Sequence, residues 1–421
     1  MKKLYVYFET KPIGILTQNA DLIYSFTYDT NWLKDPERFQ LSLAIPFQDE
    51  PFSNKETLSF FENLLPEGDT RIALEKSQNI QGTFEFLDKF GRDCAGAISI
   101  SQSQHSNIQP QTSKLVEISF EEIYGALKNH TSVAEIIAQN DPGFLSIAGA
   151  QDKFPAIFKD NRIYIPSTGS PTTHIVKVPI FRNKVKQSVY NEFFCMQLAK
   201  LVGLNVPRCN IVDHDEFPLY ITERYDRRTL DGITLRIHQQ DFCQAQGMVS
   251  EQKYEEKGGP TLRDNLNILK KHISIHNRSQ AIFSYLDWLS FNFLIGNNDS
   301  HSKNLSLLLL DNKIQLAPFY DLLCTAVYPK LKRNFSFMIG DCDDASRIGI
   351  NQFNMLNNDL ELKEGTIVDN VLKMKELLLS NKDELVNKIL CEFPQASILK
   401  NISKIIDKRC KSIIRQGVIQ N

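Results

Sequence analysis

Asp299, Asn304 and Asp321 are the side chains whose types and spacing point most directly to chemistry. They lie within the stretch from Phe291 to Asp321, FNFLIGNNDSHSKNLSLLLLDNKIQLAPFYD. An Asp followed five residues on by an Asn is the spacing of phosphoryl-transfer loops. There the carboxylate orients a nucleophilic hydroxyl, the amide holds a magnesium ion, and a later Asp holds the metal from the far side. Two carboxylates and an amide are hard oxygen donors, which suits magnesium. Taken singly, each of these residues also fits an ordinary polar loop.

The elements that must position them follow from the pattern. The apolar run Phe291 to Ile295 reads as a helix end and hands over to a polar cluster, Asn298 to Asn304. A second apolar run, Leu305 to Leu310, meets the turn signal Asp311 and Asn312, and a third short run ends at Asp321. Run, Asp-Asn turn, run is a hairpin pattern. It places Asp299, Asn304 and Asp321 near one point.

A second set of residues suits a nucleotide. The strand pattern THIVKVP turns Lys177 away from Val176 and Val178, and an inward lysine needs an anion. Upstream, the small residues Ala148, Gly149 and Ala150 precede Gln151 and Lys153, so backbone N–H groups could approach phosphates with a lysine adding charge. One glycine is a weak phosphate-loop signal, and an ordinary hairpin around Lys159, Asp160 and Asn161 reads equally well. The helix pattern SVYNEFFCMQLAKLVG carries Glu192, a candidate partner for Lys177 or a solvated helix charge. PLYITERYDRR reads as a strand entering a polar connection, where Glu223 and Tyr225 could offer backbone groups to adenine and Asp226 could reach a ribose. An edge strand with surface salt bridges is the other reading.

The 421 residues are long for one hydrophobic core, and a net charge of −2 gives no global argument for a nucleic-acid or membrane surface. The eight cysteines are scattered without a CxxC pair, MKKLYVYFET lacks a signal-peptide core, and no apolar stretch approaches a membrane span. A soluble, cytoplasmic protein with reduced thiols is expected. Short strands are expected at LYVYF, LIYSFTYD and FQLSLAIPF, helices over 55–76 and TFEFLDKF, and close backbone approach at GRDCAGAISI. Residues 101–114 are the best linker candidate. The carboxy-terminal half reads as mostly helical, including RIHQQDFCQAQGM, the 281–296 segment and everything from 365 onward. His272 and His276 read as surface residues, since HISIH lacks a zincin glutamate. The tail ILKNISKIIDKRCKSIIR reads as a packed isoleucine stripe with a solvated basic face, or as a phosphate-contacting surface.

Together SIAGAQDK, THIVKVP, ERYDRR, RIHQQDFCQA, IGNNDSHSKN and LAPFYDLL resemble the HipA family of toxin-antitoxin serine/threonine kinases, and FFENLLPEGDTR with GRDCAGAISI resembles that family's amino-terminal subdomain. The resemblance implies an α+β, protein-kinase-like two-lobed fold. It would divide into an amino-terminal subdomain (1–105), a kinase N-lobe (106–225) and a helical C-lobe (226–421). It implies ATP and Mg²⁺ as cofactors, Asp299 as catalytic base, Asn304 and Asp321 on the metal, and Ser146 as an autophosphorylated serine. ATP would meet Ala148, Gly149, Ala150, Gln151, Lys153, Lys177, Glu223, Tyr225, Asp226, His301 and Lys303. Implied partners are a HipB-like helix-turn-helix antitoxin, operator DNA reached through it, and a protein substrate such as an aminoacyl-tRNA synthetase, the glutamate enzyme among them, with no membrane. A small-molecule phosphotransferase and a non-catalytic corepressor are the competing readings.

Overall fold

The computed structural model describes residues 1–103, 115–129, 133, 137, 151–166, 170–180, 185–212 and 217–415. The chain folds into two compact units: Met1–Val178 with Val212–Ser250 and Leu307–Asn312, and Pro179–Ile211 with Glu251–Ser306 and Lys313–Asn421.

In the first unit β1 (Lys2–Phe8), β2 (Lys11–Gln18), β3 (Tyr24–Tyr28) and β4 (Ile98–Ser101) form an antiparallel sheet in the order β3-β2-β1-β4. Alternation drives it: Leu4, Val6, Leu16 and Phe26 are fully buried on one face. Helices α1 (Asn54–Phe61), α2 (Gly68–Gln78) and α3 (Gly82–Phe90) follow, with a break at Leu65 and Pro66 as the proline requires. FQLSLAIPF is not a strand. Its N–H groups are met by side chains instead, Leu41 by the Tyr28 hydroxyl at 2.9 Å and Leu43 by the Gln240 amide at 2.8 Å. Strands β5 (Leu115–Ile118), β6 (Lys153–Lys159), β7 (Arg162–Pro166) and β8 (His174–Lys177) belong to a second sheet, and α4 (Phe120–Lys128) accompanies them. The chain re-enters the unit through β9 (Cys209–Val212) and continues as β10 (Leu219–Glu223), giving the order β5-β7-β6-β8-β10. Next come β11 (Arg227–Leu230), β12 (Ile233–Arg236) and β13 (His238–Asp241). RIHQQDFCQAQGM is therefore strand and then a single helical turn, Phe242–Ala245, rather than one helix. The His238 ring bonds the Leu41 carbonyl at 2.9 Å, and Gln239 abuts Gly96, where an added Cβ would sit 2.9 Å from the Gln239 nitrogen.

One continuous apolar core runs from Leu4 through Ile100, Phe154 and Val176 to Ile221. A buried ionic network reinforces it. Asp93 accepts from Arg227 at 2.9 Å, Arg236 at 3.1 Å, Arg224 at 3.3 Å and the Thr172 hydroxyl at 2.6 Å. Asp226 accepts a two-pronged contact from Arg224 at 2.8 and 3.0 Å and the Gly96 N–H at 2.7 Å.

The second unit is mainly helical: α5 (Ser188–Leu201), α6 (Leu262–His272), α7 (Ile275–Ile295), α8 (Ile350–Asp359), α9 (Thr366–Glu392) and α10 (Ile398–Arg415). The isoleucine stripe of α10 is packed as expected, with Leu399, Ile402 and Ile406 fully buried. Among the described residues no helix is long and apolar enough to cross a membrane. Strand β14 (Ser306–Leu310) lies mostly in the first unit and ends at Asp311 and Asn312, both at positive φ, 49° and 58°, and β15 (Lys313–Leu316) follows in the second unit.

Burial opposes charge on Asp93, but Arg227, Arg224 and Arg236 more than offset it and hold the carboxyl well below its ordinary value. A depressed carboxyl stabilises the fold fully above its unfolded value, near pH 3.9, and that contribution is lost as pH falls below it. Asp93→Asn is expected to cost about 3–5 kcal/mol, because it strands buried guanidinium charge. Urea unfolding at neutral pH measures the loss. The difference from wild type should shrink as both proteins are taken below pH 4.

Candidate active site

Helix α7 ends where Gly296 takes φ +78°, with no room for a side chain: an added Cβ would lie 2.9 Å from the Ala326 Cβ. The chain then enters a loop that satisfies its polar groups through side-chain amides. Asn297 Nδ2 donates to Asn292 Oδ1 at 2.7 Å and to the Asp321 carbonyl at 3.3 Å, while its Oδ1 accepts the Asp299 N–H at 3.2 Å. Asn304 Nδ2 donates to the Asp299 carbonyl at 3.0 Å. Asp299, Asn304 and Asp321 are thus brought together, two of them through one amide. The Asp299 side chain is exposed, Asn304 and Asp321 are half-buried, and Asp321 sits at φ +54°.

Asn298 braces the loop from the other side. Its N–H donates to Thr325 Oγ1 at 2.7 Å, and its Nδ2 to the carbonyls of Lys332 and Arg333 at 3.2 and 3.0 Å. Its Oδ1 accepts from Arg409 at 3.1 Å, and Arg409 also donates to the Phe293 carbonyl at 3.3 Å. Arg409 is therefore not part of a solvated basic face. It lies over the Phe293 ring, and burial lowers its guanidinium to about 10, so it stays charged at neutral pH. Asn191 of α5 holds the segment after Asp321, accepting the Cys324 N–H at 2.8 Å and donating to the Cys324 carbonyl at 2.9 Å.

The metal expectation can be tested against these donors. Asn304 turns its amide nitrogen to Asp299, which directs its oxygen elsewhere, and Asp321 adds a carboxylate. Among the described residues no group of three His, Cys, Asp or Glu could hold an ion alone. Magnesium fits such a site, since it is held by one or two carboxylates completed by phosphates and water.

In the first unit Lys177 pairs with Lys153 across β6 and with Tyr220 across β10, so the three side chains share one face. Lys177 is 4 % exposed, and its ammonium lies 5.7 Å from the Tyr220 ring centre. The Gln151 amide donates to the Val178 carbonyl at 3.0 Å, beside this lysine. Tyr225 donates to Gln239 at 2.5 Å, and Glu223 closes β10 opposite His174. The salt bridges around ERYDRR are buried rather than superficial. Asp226 does not reach outward for a ribose, because the ionic network and the Gly96 N–H take up both its oxygens. In the second unit His301 and Lys303 are buried, as is Glu192 of α5. Ser146, Ala148, Gly149 and Ala150 lie outside the described residues.

Two family descriptions match the chain: a HipA N-terminal domain over residues 4–101 and a HipA-like C-terminal domain over 145–381. The serine/threonine-protein kinase toxin HipA of Shewanella oneidensis is 30 % identical over 374 residues, 84 % of each chain. The chain belongs to the HipA family. Y4mE of Sinorhizobium fredii, which carries a provisional kinase name, is 35 % identical over 349 residues, 81 % of each chain. The HipA chain of a solved Shewanella oneidensis complex with HipB and operator DNA is similar with a TM-score of 0.83 at 26 % identity, covering 98 % of this chain and 97 % of that one. The fold is accordingly the kinase-like fold of HipA, with its amino-terminal subdomain and helical carboxy-terminal region, and the chain is a kinase by family.

Sequence reasoning did not single out Asn297, Arg409, Asn191 or Tyr254, which donates to Asp299 Oδ1 at 2.6 Å. The Gly-Asn-Asn run after an apolar helix was the available signal for Asn297. The other three carried none, because their partners are distant in the chain. Asn297→Ala is expected to lower ATP turnover about 100-fold, the scale of a 1 Å misplacement of catalytic groups. The loss of bonds from a buried amide should also destabilise the protein by about 1–3 kcal/mol. Steady-state kinetics and urea unfolding on the same preparation measure the two effects separately.

Proposed function

We propose that this HipA-family chain is an ATP- and magnesium-dependent serine/threonine protein kinase, the toxin half of a toxin-antitoxin pair. The observation that carries the reading is the tethering of Asp299, Asn304 and Asp321 to one another through the Asn297 and Asn304 amides. Phosphoryl transfer requires positioning and neutralisation of charge more than covalent help. Lys177 and Lys153 take the nucleotide phosphates in the first unit, and the backbone at Glu223 and Tyr225 takes the adenine. In the second unit Asp299 aligns the acceptor hydroxyl and receives its proton. Asn304 and Asp321 hold magnesium, which when bound supplies positive charge against the transferring phosphoryl oxygens.

The acceptor is a protein serine or threonine on a translation component, an aminoacyl-tRNA synthetase being the leading class. A small helix-turn-helix antitoxin of the HipB kind is the partner, as in the solved relative, and it links the chain to operator DNA. Ser146 is the proposed internal acceptor. A phosphate there brings about −1.5 to −2 charge beside the nucleotide phosphates. Each like-charge pair costs about 3 kcal/mol at 5 Å and an effective dielectric of 20, so the modified kinase should lose ATP.

Asp299→Asn is expected to lower phosphotransfer about 10²- to 10⁴-fold without unfolding the protein, the usual worth of a general base. Labelled ATP incubated with a lysate, with wild type and variant side by side, reads this, and undiminished labelling by the variant removes Asp299 from the role. Mass spectrometry of the wild type after ATP and magnesium should find phosphate on Ser146. ATP binding by that form at unmodified strength would contradict the autoinactivation.

A further inference from the structure

Asp299 is exposed, yet a general base has to present one oxygen in a fixed direction. Its Oδ1 accepts the Tyr254 hydroxyl at 2.6 Å, within the range of charge-assisted O–H···O⁻ bonds. A carboxylate has acceptor capacity on both oxygens, so a donor on Oδ1 leaves Oδ2 for an incoming hydroxyl.

Tyr254 is itself held in place. Its carbonyl accepts the N–H groups of Lys257 and Gly259, both at 3.0 Å, and the neighbouring Glu255 carboxylate accepts the Met338 N–H at 3.0 Å. Gly259 admits no side chain, since an added Cβ would lie 1.9 Å from the Gln252 carbonyl oxygen. The Tyr254 ring stands edge-on to His301, centroids 5.0 Å apart at 83°. The ammonium groups of Lys332, Lys253 and Lys257 lie 5.4, 5.5 and 5.7 Å from its centre, with Glu256 paired to Lys332 at 2.7 Å. The ring face attracts these cations, which helps to fix the ring's place beside Asp299.

We infer that Tyr254 is a positioning residue for Asp299, locking the carboxylate so that its second oxygen meets the acceptor hydroxyl. The inference rests on the kinase reading above. Tyr254→Phe keeps the ring and removes the bond. It should lower kcat about 10- to 100-fold, the scale of losing one hydrogen bond to an ionised group, with KM for ATP and the thermal midpoint unchanged. In an Asp299→Asn background the same change should cost less than about twofold, because the carboxylate it serves is gone.

Wild-type kcat in Tyr254→Phe overturns the inference and leaves the kinase reading intact. A rise in activity overturns it too, since the hydroxyl would then be blocking the acceptor's place. An equal loss in both backgrounds assigns Tyr254 a structural role and likewise overturns it. A wild-type chain that transfers no phosphoryl group at all overturns the kinase reading and this inference with it.

Discussion

The candidate chemistry depends on how one buried amide, that of Asn297, spends its hydrogen bonds. The loop from Gly296 to His301 belongs to neither a helix nor a sheet ladder, so most of its polar groups need partners from side chains. Asn297 supplies them at both ends, reaching back to Asn292 in the helix, across to the Asp321 carbonyl and forward to the Asp299 N–H. An amide suits this task because it donates and accepts from one rigid plane. A serine is too short for three partners, and a carboxylate would repel the Asp321 carbonyl it must contact. Gly296 makes the placement possible, since its left-handed conformation turns the chain abruptly out of the helix.

The first unit meets a similar problem with charge. The segment from Arg224 to Arg227 leaves a strand and has to fix which residues face which way. Arg224, Asp226 and Arg227 turn into a network of three arginines and two aspartates whose side chains are at most 5 % exposed. Apolar residues of equal volume could stabilise such a core as well. They could not reproduce the orientation, because a guanidinium fork donates to a carboxylate only in particular planes. The same network ties the GRDCAGAISI segment to the strand after Glu223, through the Cys94 and Gly96 carbonyls. That is why the amino-terminal subdomain and the strands around Lys177 form one compact unit.

Much of this was legible in the sequence. The spacing of Asp299 and Asn304, the Asp311-Asn312 turn and the inward Lys177 all reflect local periodicity and turn chemistry, which one chain displays directly. FQLSLAIPF misled because its apolar alternation is that of a strand, while its N–H groups are claimed by Tyr28 and Gln240 from elsewhere in the chain. RIHQQDFCQAQGM misled because Gly96 and Leu41, far away in sequence, draw its first half into extended backbone. Asp226 reads from the sequence as free to reach a ribose, whereas buried Arg224 and the Gly96 N–H take its oxygens, and burial of ionic groups leaves no local mark. Arg409 was lost in a basic helix for the same reason.

The lysine pair shows what such a reading can and cannot reach. An inward lysine on one strand was visible, but its register against Lys153 was not, because pairing depends on which strands become neighbours. Once paired, the two lysines stand directly opposite one another on one face, where like charges disfavour a sheet. The contact of Lys177 with the Tyr220 ring relieves part of that cost, as an aromatic face attracts a cation.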